Sequence, residues 1–520
     1  MNDTKKEFTK IISAKNVFSD TSAEYVLPDY NGDVRKILFT KAEVRPSGKF
    51  ASGDEIEFSG IVVYSIVYSD SENNIASVSF TSDYDYSAKC SEERYKDAFA
   101  DTRIANYQVR LLGPRKISAK ASVVGSVSVL ENCSLEVGGS AFDGDIAPEM
   151  ATRIVKMRNA ASSSSVEREY AESIEHLDGA IADEVNVVYA GADASVDNIE
   201  IGNDEVTLLG KLRMVAIISN GDSPAYLAEK TIPIDVAVPF EGVSEDMKLL
   251  PEITVSSVRG NVNADDTGSD VVVSAILEFS LVGEQNEELE LITDAYTTTC
   301  VTENIYADFP YEELIDVVSI KDNYSAEMAR DGIDTEHIRE VVFTDATLKL
   351  DEAEMTDEGI NLRGEMKITG ITSDINDDGS VSYSNIKFAM PYSKNVKYGL
   401  QNLANLRVDA KGNVINISAT VDSEKIYISA SLDLSLSIVS SKCERVLAAS
   451  TLREELSWKP QGSRITVYYP SDDETLFSVA KKFHTTVTKV ANDNSLTDAV
   501  NAGYDTSSYK LSSIKRLIIT

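Results

Sequence analysis

A threefold repeat with a spacing of about 150 residues is the feature that most constrains the fold of this chain. Three segments align without a gap: ILFTKAEV from Ile37, VVYAGADA from Val187 and VVFTDATL from Val341. Nineteen residues after each start a second block opens, and it carries a glycine at the same place in each copy: Gly60, Gly210 and Gly364. Solenoid repeats are only roughly 20 to 50 residues long, so each copy is predicted to be a domain with its own core. The shared glycine indicates a bulge, a close backbone approach, or a strand position that tolerates glycine.

The aligned blocks have the composition and the alternation of β-strands. They are rich in Val, Ile, Thr, Tyr and Phe, and apolar and polar residues alternate, as in KIYISASLDLSLSIV from Lys425. This period of two is typical of half-buried antiparallel strands. We therefore predict a mostly β protein with three antiparallel β-sandwich or open-barrel repeats and a small C-terminal domain. The predicted ranges are 1–150, 151–300, 301–455 and 463–520.

Residues 463–520 show a helical pattern instead. Leu476, Val479, Ala480 and Phe483 form an apolar stripe on one short helix. Val487, Val490 and Ala491 form a similar stripe on a second helix. Ser471 and Glu474 predict a capping box for the first helix. The flanking RITVYY and LIIT are strand candidates, so the sequence predicts a small β-α-α-β unit whose two strands pair.

Both parts of the chain resemble one known family. The repeats contain a VLPDYNGDV-like opening, the strand pair DEIEFSGIVVYSIVYSD, a VPF or PY element and a closing strand such as VSAILEFSL. This text resembles the SPOCS domain that repeats in spore-coat assembly proteins of the SipL type. The last residues are similar to a LysM module through Thr475 with Leu476, Val479 with Ala480, Thr486 with Val487, and Asn494. SipL-type proteins combine these same two elements.

The LysM resemblance implies where ligands bind. LysM modules hold N-acetylglucosamine units in a shallow groove between two loops, which correspond here to residues 470–475 and 492–496. The implied partner-binding or glycan-binding residues are Asp472, Asp473, Thr475, Phe477, Asn492, Asn494 and Leu496. Because a fold does not fix a function, two uses stay open: docking of a protein, and binding of peptidoglycan or N-acetylglucosamine oligomers.

Charge and motifs exclude other classes of function. The chain carries 85 acidic and 49 basic residues, a net charge of -36, which repels the phosphates of nucleic acid and anionic lipid. No apolar run is long enough for a membrane span. The three histidines are scattered, and DINDDG, from Asp374 to Gly379, has Asn385 where a calcium loop needs Glu, so it is interpreted as a turn. We predict no enzyme activity, no metal and no cofactor.

The expected role is that of a non-enzymatic structural adaptor. The resemblance implies a part in spore coat or envelope assembly, with the C-terminal module docking a spore-coat morphogenetic ATPase. The start of the chain lacks the apolar core of a secretory signal, and its four cysteines are widely spaced, as expected of free thiols in a reducing cytosol. The expected location is therefore the cytoplasm, on the mother-cell side of the forespore surface or in the coat. The alternative is a peptidoglycan-binding protein that uses the LysM groove.

Overall fold

A computed structural model gives the architecture of the chain. It describes residues 5–142, 147–179, 184–220, 224–264, 267–329, 338–376, 380–399, 405–422, 425–453, 465–496, 509–512 and 514–520. Strands dominate these ranges, and all strands that pair within the sheets are antiparallel. The prediction of a mostly β fold is confirmed.

The first copy has six strands in two sheets. Its strands are β1 (Lys5–Val26), β2 (Val34–Ser52), β3 (Glu55–Asp70), β4 (Ile75–Lys89), β5 (Tyr95–Gly113) and β6 (Lys116–Glu136). The consecutive strands β2, β3 and β4 form a meander. In the second sheet β6 lies between β1 and β5, so the first and last strands of the copy are neighbours.

The second copy repeats this arrangement with one strand more. Its strands are β7 (Glu149–Ser162), β8 (Val166–Asp178), β9 (Val185–Ile201), β10 (Glu205–Asn220), β11 (Tyr226–Pro239), β12 (Lys248–Ala264) and β13 (Gly268–Tyr296). The meander is β9, β10 and β11. The long β13 pairs with β12 on one side and with both β8 and β7 on the other. β7 spans the predicted boundary between residues 150 and 151.

The third copy again has six strands. They are β14 (Val301–Ala329), β15 (Ile338–Thr356), β16 (Gly359–Ile375), β17 (Val381–Val396), β18 (Leu406–Val421) and β19 (Lys425–Arg453). The meander is β15, β16 and β17, and β19 lies between β14 and β18. Ile375 pairs with Val381, so the DINDDG segment connects two antiparallel strands; its residues 377–379 lie outside the described part of the chain.

Each copy is a sandwich, because its two sheets are hydrogen-bonded separately and enclose one apolar core. In the first copy Ile56 and Tyr64 of β3 belong to the same buried cluster as Val123 and Val127 of β6. Corresponding clusters join the two sheets of the second and third copies. Side chains of a strand alternate between the two faces, so one face of each sheet supplies this core.

The glycine shared by the copies allows a close backbone approach beside a bulge. A Cβ atom at Gly60 would lie 2.4 Å from the carbonyl oxygen of Arg45 on the preceding strand. The register of the two strands shifts beside this contact in every copy. A side chain would therefore push the bulged strand away. The same contact joins Gly210 to Ser195 (2.0 Å) and Gly364 to Lys349 (2.1 Å).

The three copies close around a common axis rather than forming a string. The last meander strand of each copy contacts the first meander strand of the next: β4 with β9, β11 with β15, and β17 with β2. Phe39, Tyr189 and Phe343 hold the same position in the repeat, and their rings meet with centroid distances of 5.6, 5.2 and 5.3 Å. The residues just before them are skipped by a strand bulge and buried in the same cluster: Leu38, Val188 and Val342.

The closing strands continue beyond the sandwiches as three two-stranded ribbons. The end of β6 pairs with the start of β1, the end of β13 with β7, and the end of β19 with the start of β14. Apolar side chains from all three ribbons share one core, so the ribbons pack together as the sandwiches do. This core includes Phe8, Val155, Met157, Leu289, Leu291, Tyr311 and Val446.

The C-terminal module has four short elements in the predicted order. They are β20 (Thr466–Tyr468), α1 (Leu476–Lys482), α2 (Val487–Asp493) and β21 (Leu517–Ile519). β20 and β21 pair antiparallel. The apolar stripes of both helices face one core together with Leu511, Leu517 and Ile519. Phe483, the last member of the first stripe, packs at the edge of this core with its ring 5.1 Å from that of Tyr468.

Candidate functional site

The start of α1 differs from the sequence prediction. Its N-cap residue is Thr475, whose hydroxyl accepts a hydrogen bond from the backbone amide of Ser478 at 3.1 Å. The Ser478 hydroxyl lies 2.9 Å from the Thr475 amide, which donates to it and completes the capping box. The box predicted at Ser471 and Glu474 is therefore wrong. Thr475, a predicted site residue, is occupied with holding the helix end.

Glu474 instead fixes the loop between β20 and α1. Its carboxylate accepts hydrogen bonds from the Tyr468 hydroxyl at 2.6 Å and from the Ser471 amide at 2.9 Å. Lys482 on α1 approaches the same carboxylate to 3.5 Å. The hydrogen bond from Tyr468 is the main reason why the pKa of Glu474 is lowered. The loop is thus tied at both ends by charged hydrogen bonds.

One side of α1 lies against the ribbon of the second copy. The ring of Phe477 meets that of Tyr296 at the end of β13 edge to face, with the centroids 5.1 Å apart. The Tyr296 hydroxyl donates to the carbonyl of Thr485 at 2.7 Å. Lys481 pairs with Asp294 at 2.6 Å. The module is therefore docked on the β body, here defined as the three copies together.

Of the seven predicted site residues, three are exposed: Asp472, Asp473 and Asn492. Phe477 is only 4% exposed, because it packs in the module core and against Tyr296. Asn494 uses its amide to join α2 to β21. It donates to the carbonyl oxygens of Val490 and Ile518 at 2.8 and 2.7 Å and accepts from the Ile518 amide at 2.6 Å.

Leu496 packs against the module core, and its amide donates to the carbonyl of Ala491 at 2.8 Å. Together with Thr475, Phe477 and Asn494, it makes contacts that hold the module together or hold it to the β body. For the three exposed residues Asp472, Asp473 and Asn492, contact with a partner stays a prediction.

The small sheet of the module carries an exposed apolar face that the sequence analysis missed. Val467 pairs directly with Ile518, and both point away from the core. The exposed fractions on this face are 74% for Ile465, 50% for Val467, 70% for Tyr469 and 38% for Ile518. We call these four residues the docking face. The sequence RITVYY could have predicted this face. Side chains of a strand alternate between its two faces, so if Tyr468 points inward, its neighbours Val467 and Tyr469 point outward.

A cluster of charged side chains lies at the axis of the β body. Lys41 pairs with Glu43 at 2.9 Å, and the two side chains are 22% and 36% exposed. Asp345 and Asp193 belong to the same cluster, and burial raises the pKa of both. Burial opposes the charge of Lys41, but the carboxylates around it, Asp345 foremost, raise its pKa well above the usual value.

The cavity within this cluster is too small for an organic ligand. It has a volume of about 20 Å³, the space of about one water molecule. Its lining includes Lys41, Asp193 and Asp345, one residue from each copy. The cluster is therefore a connection between the copies and not a substrate pocket.

Two absences concern the part of the chain that the structure describes. In that part of the chain, no group of three or more His, Cys, Asp and Glu side chains could hold a metal ion. None of its helices has the length and apolar character needed to traverse a membrane.

Comparison with known proteins adds no relative to this picture. No protein-family profile, curated protein or solved structure matches the chain.

Proposed function

We propose that this protein is a non-enzymatic adaptor whose C-terminal module binds a protein partner through its docking face. The observation that carries the proposal is the position of that face. One side of the module is fixed on the β body through Phe477 and Lys481, while Ile465, Val467, Tyr469 and Ile518 are left in solvent. Contiguous apolar side chains on a protein surface mark interaction sites.

The residues beside the docking face suit a partner with a basic patch. Tyr469 is followed along the chain by Pro470, Ser471 and the exposed carboxylates Asp472 and Asp473. An exposed aromatic side chain can act as the anchor of an interface, and charges at its rim steer association. The rest of the chain adds to this negative charge. Residues 465–520 contain six basic and six acidic residues, so the whole net charge of -36 lies outside them.

The likeness to SipL-type proteins supports a particular partner and place. On that basis we propose that the partner is the spore-coat morphogenetic ATPase, and that the protein acts in coat assembly on the mother-cell side of the forespore. The β body would then be the scaffold that joins the docked module to the rest of the coat.

Binding of that ATPase to the full chain tests the proposal. Tyr469→Ala should weaken binding by roughly tenfold or more, the typical loss for an aromatic anchor. Asp472→Lys with Asp473→Lys should slow association and reduce its salt dependence. Glu92→Lys with Glu93→Lys is the matched control, because it makes the same charge change at an exposed pair in the first copy. If Tyr469→Ala and the double variant of Asp472 and Asp473 bind the ATPase as tightly and as fast as the control and the wild type, the proposal is contradicted.

A second candidate function is peptidoglycan binding by the loops 470–475 and 492–496. The exposed ring of Tyr469, beside the first loop, favours it, because an aromatic face can support a sugar ring. Titration of the full chain with N-acetylglucosamine oligomers should then give saturable heat that Asn492→Ala reduces. Absence of heat from folded protein would remove this candidate and leave the protein partner.

A further inference from the structure

The outer sheet face of the third copy contains an open groove of about 410 Å³. It lies across the three strands β14, β19 and β18, on the side that faces away from the sandwich core. This volume is within the range of ligand sites, roughly 300 to 1,000 Å³. Five of its eight lining residues carry a hydroxyl group. The side chains that line it and point outward are Ser325, Glu327, Ser418, Thr420, Tyr427 and Ser429.

The register of the strands places these side chains in two rows. Ser429 in the central strand lies between Ser325 and Ser418. The next row has Tyr427 in the centre, flanked by Glu327 and Thr420. All six are exposed, while Ile428, between the two central residues, is buried in the core. The groove is therefore built from outward-pointing side chains of regular, paired strands.

The position of Ser418 carries a larger residue in the other two copies. Ser118 and Ser274 are the counterparts of Ser429 in β6 and β13. Each of them pairs with an arginine, Ser118 with Arg110 and Ser274 with Arg259, where the third copy has Ser418. Replacing a long arginine by serine opens space on this face. Among the three copies, only the third has serine on both strands of this pair.

The groups in the groove suit a neutral ligand rich in hydroxyls. Each serine or threonine hydroxyl can both donate and accept, as the hydroxyls of a sugar require. The ring of Tyr427 is 42% exposed and offers an apolar surface. A hydrogen bond to Asp422 holds its hydroxyl and raises the pKa of this tyrosine. Asp422 and Glu327 disfavour an anionic ligand, although Lys425 pairs with Glu327 at 2.7 Å.

We propose that this groove binds a neutral oligosaccharide, with Tyr427 beneath a sugar ring and the hydroxyls of Ser325, Ser418 and Ser429 in contact with sugar hydroxyls. The site is separate from the C-terminal module. It would give the β body a glycan contact of its own, whether the module binds a protein or a sugar. A single shallow sugar site typically binds with a dissociation constant on the order of micromolar to millimolar.

Titration of the full chain with three probes tests the groove: the β-1,4-linked tetramers of N-acetylglucosamine and of glucose, and maltotetraose. We expect saturable binding of at least one. Ser418→Arg should abolish it, because it restores the arginine that the other two copies carry there and so fills the groove without disturbing the sheet. Tyr427→Ala should weaken binding roughly tenfold.

The module provides the control. Asp472→Lys with Asp473→Lys and, separately, Asn492→Ala should leave binding at the groove unchanged. Binding that these changes remove but Ser418→Arg does not would belong to the module and would overturn the proposal. If none of the three probes binds to folded wild-type protein, the proposal is overturned as well. The outcome does not depend on the ATPase experiment, so the two proposals can fail separately.

Discussion

The β body and the C-terminal module are stabilised in different ways. At the axis of the body, Phe39, Tyr189 and Phe343 come from three copies, and each ring contacts the other two. The module has two helices of seven residues and two strands of three. It completes its core with Ala151 and Tyr296 of the body and holds its loops with polar contacts from Glu474 and Asn494. A unit this small buries little apolar surface, so single polar contacts matter more.

The carboxyl groups of the two regions also have opposite effects on stability. Burial raises the pKa of Asp193 and Asp345 at the axis, so these carboxyls weaken the folded state when they are ionised. In the module the hydrogen bond from Tyr468 lowers the pKa of Glu474, so this carboxylate strengthens the folded state when it is ionised. The two regions should therefore respond to mild acid in opposite directions.

The largest effect is expected at the axis. Phe39→Ala removes a ring that is 2% exposed and touches both other copies, so it should lower the free energy of unfolding by about 3 to 5 kcal/mol. Chemical denaturation followed by circular dichroism measures this. Phe18→Ala, at a position that is 64% exposed, is the control and should change stability by less than about 0.5 kcal/mol. Equal effects would mean that the copies do not share this centre.

The next effect concerns the contact between the two regions. Tyr296→Ala removes both the ring on Phe477 and the hydrogen bond to Thr485, and should destabilise the docked module by roughly 2 to 4 kcal/mol. Hydrogen exchange of α1 in the full chain measures it. Tyr296→Phe keeps the ring and loses only the hydrogen bond, so its effect should be about 1 kcal/mol. Unchanged protection of α1 in Tyr296→Ala would show that the module does not depend on the body.

The sequence predicted features that depend on local pattern. The repeat, the strands and the apolar stripes of α1 and α2 follow from spacing alone. The start of α1 does not follow from spacing. Ser471 with Glu474 matches the expected capping pattern better than Thr475 with Ser478, but in the structure Thr475 is the N-cap and the Ser478 hydroxyl completes the box. The apolar spacing of α1 also did not predict that Phe477 is buried. Its burial includes the contact with Tyr296 of the second copy, which no local pattern encodes.

The same limit applies to the axis and the groove. The aromatic position shared by Phe39, Tyr189 and Phe343 was visible in the alignment, but their meeting depends on how the sandwiches pack. The groove depends on strand register, since only the pairing of Ser429 with Ser325 and Ser418 shows that small side chains are neighbours across three strands.

A smaller loss of stability should distinguish residues that hold the module together from residues that are free to bind a partner. Asn494→Ala removes one hydrogen bond to Val490 of α2 and two to Ile518 of β21, and should destabilise the module by about 1 to 3 kcal/mol. Asn492→Ala, at an exposed position two residues earlier, should cost no more than about 0.5 kcal/mol. Hydrogen exchange of α2 compares the two variants. If both leave its protection unchanged, Asn494 is free to serve as a contact for a partner, as the sequence first indicated.

At the axis, Asp345→Asn should flatten the pH dependence of stability. The folded-state pKa of Asp345 is raised above 3.8, so its contribution to stability falls as pH rises from about 3.8 through the raised pKa. Asparagine does not titrate and removes that fall. Unfolding of the body measured between pH 4 and pH 7 should thus have a smaller slope in the variant, and an unchanged slope would contradict burial as the cause.

The smallest and opposite effect is expected for Glu474→Gln. The folded-state pKa of Glu474 lies below 4.5, so its contribution is fully present above pH 4.5 and is lost as pH falls through the lowered pKa. The wild-type module should therefore lose protection of α1 in this acid range, while the variant should start with less protection and change less. Asp473→Asn, at the exposed neighbouring position, should behave like the wild type. Because Asp345 acts with the reverse sign, one pH series that follows both regions tests whether the module depends on ionised carboxylates where the body is weakened by them.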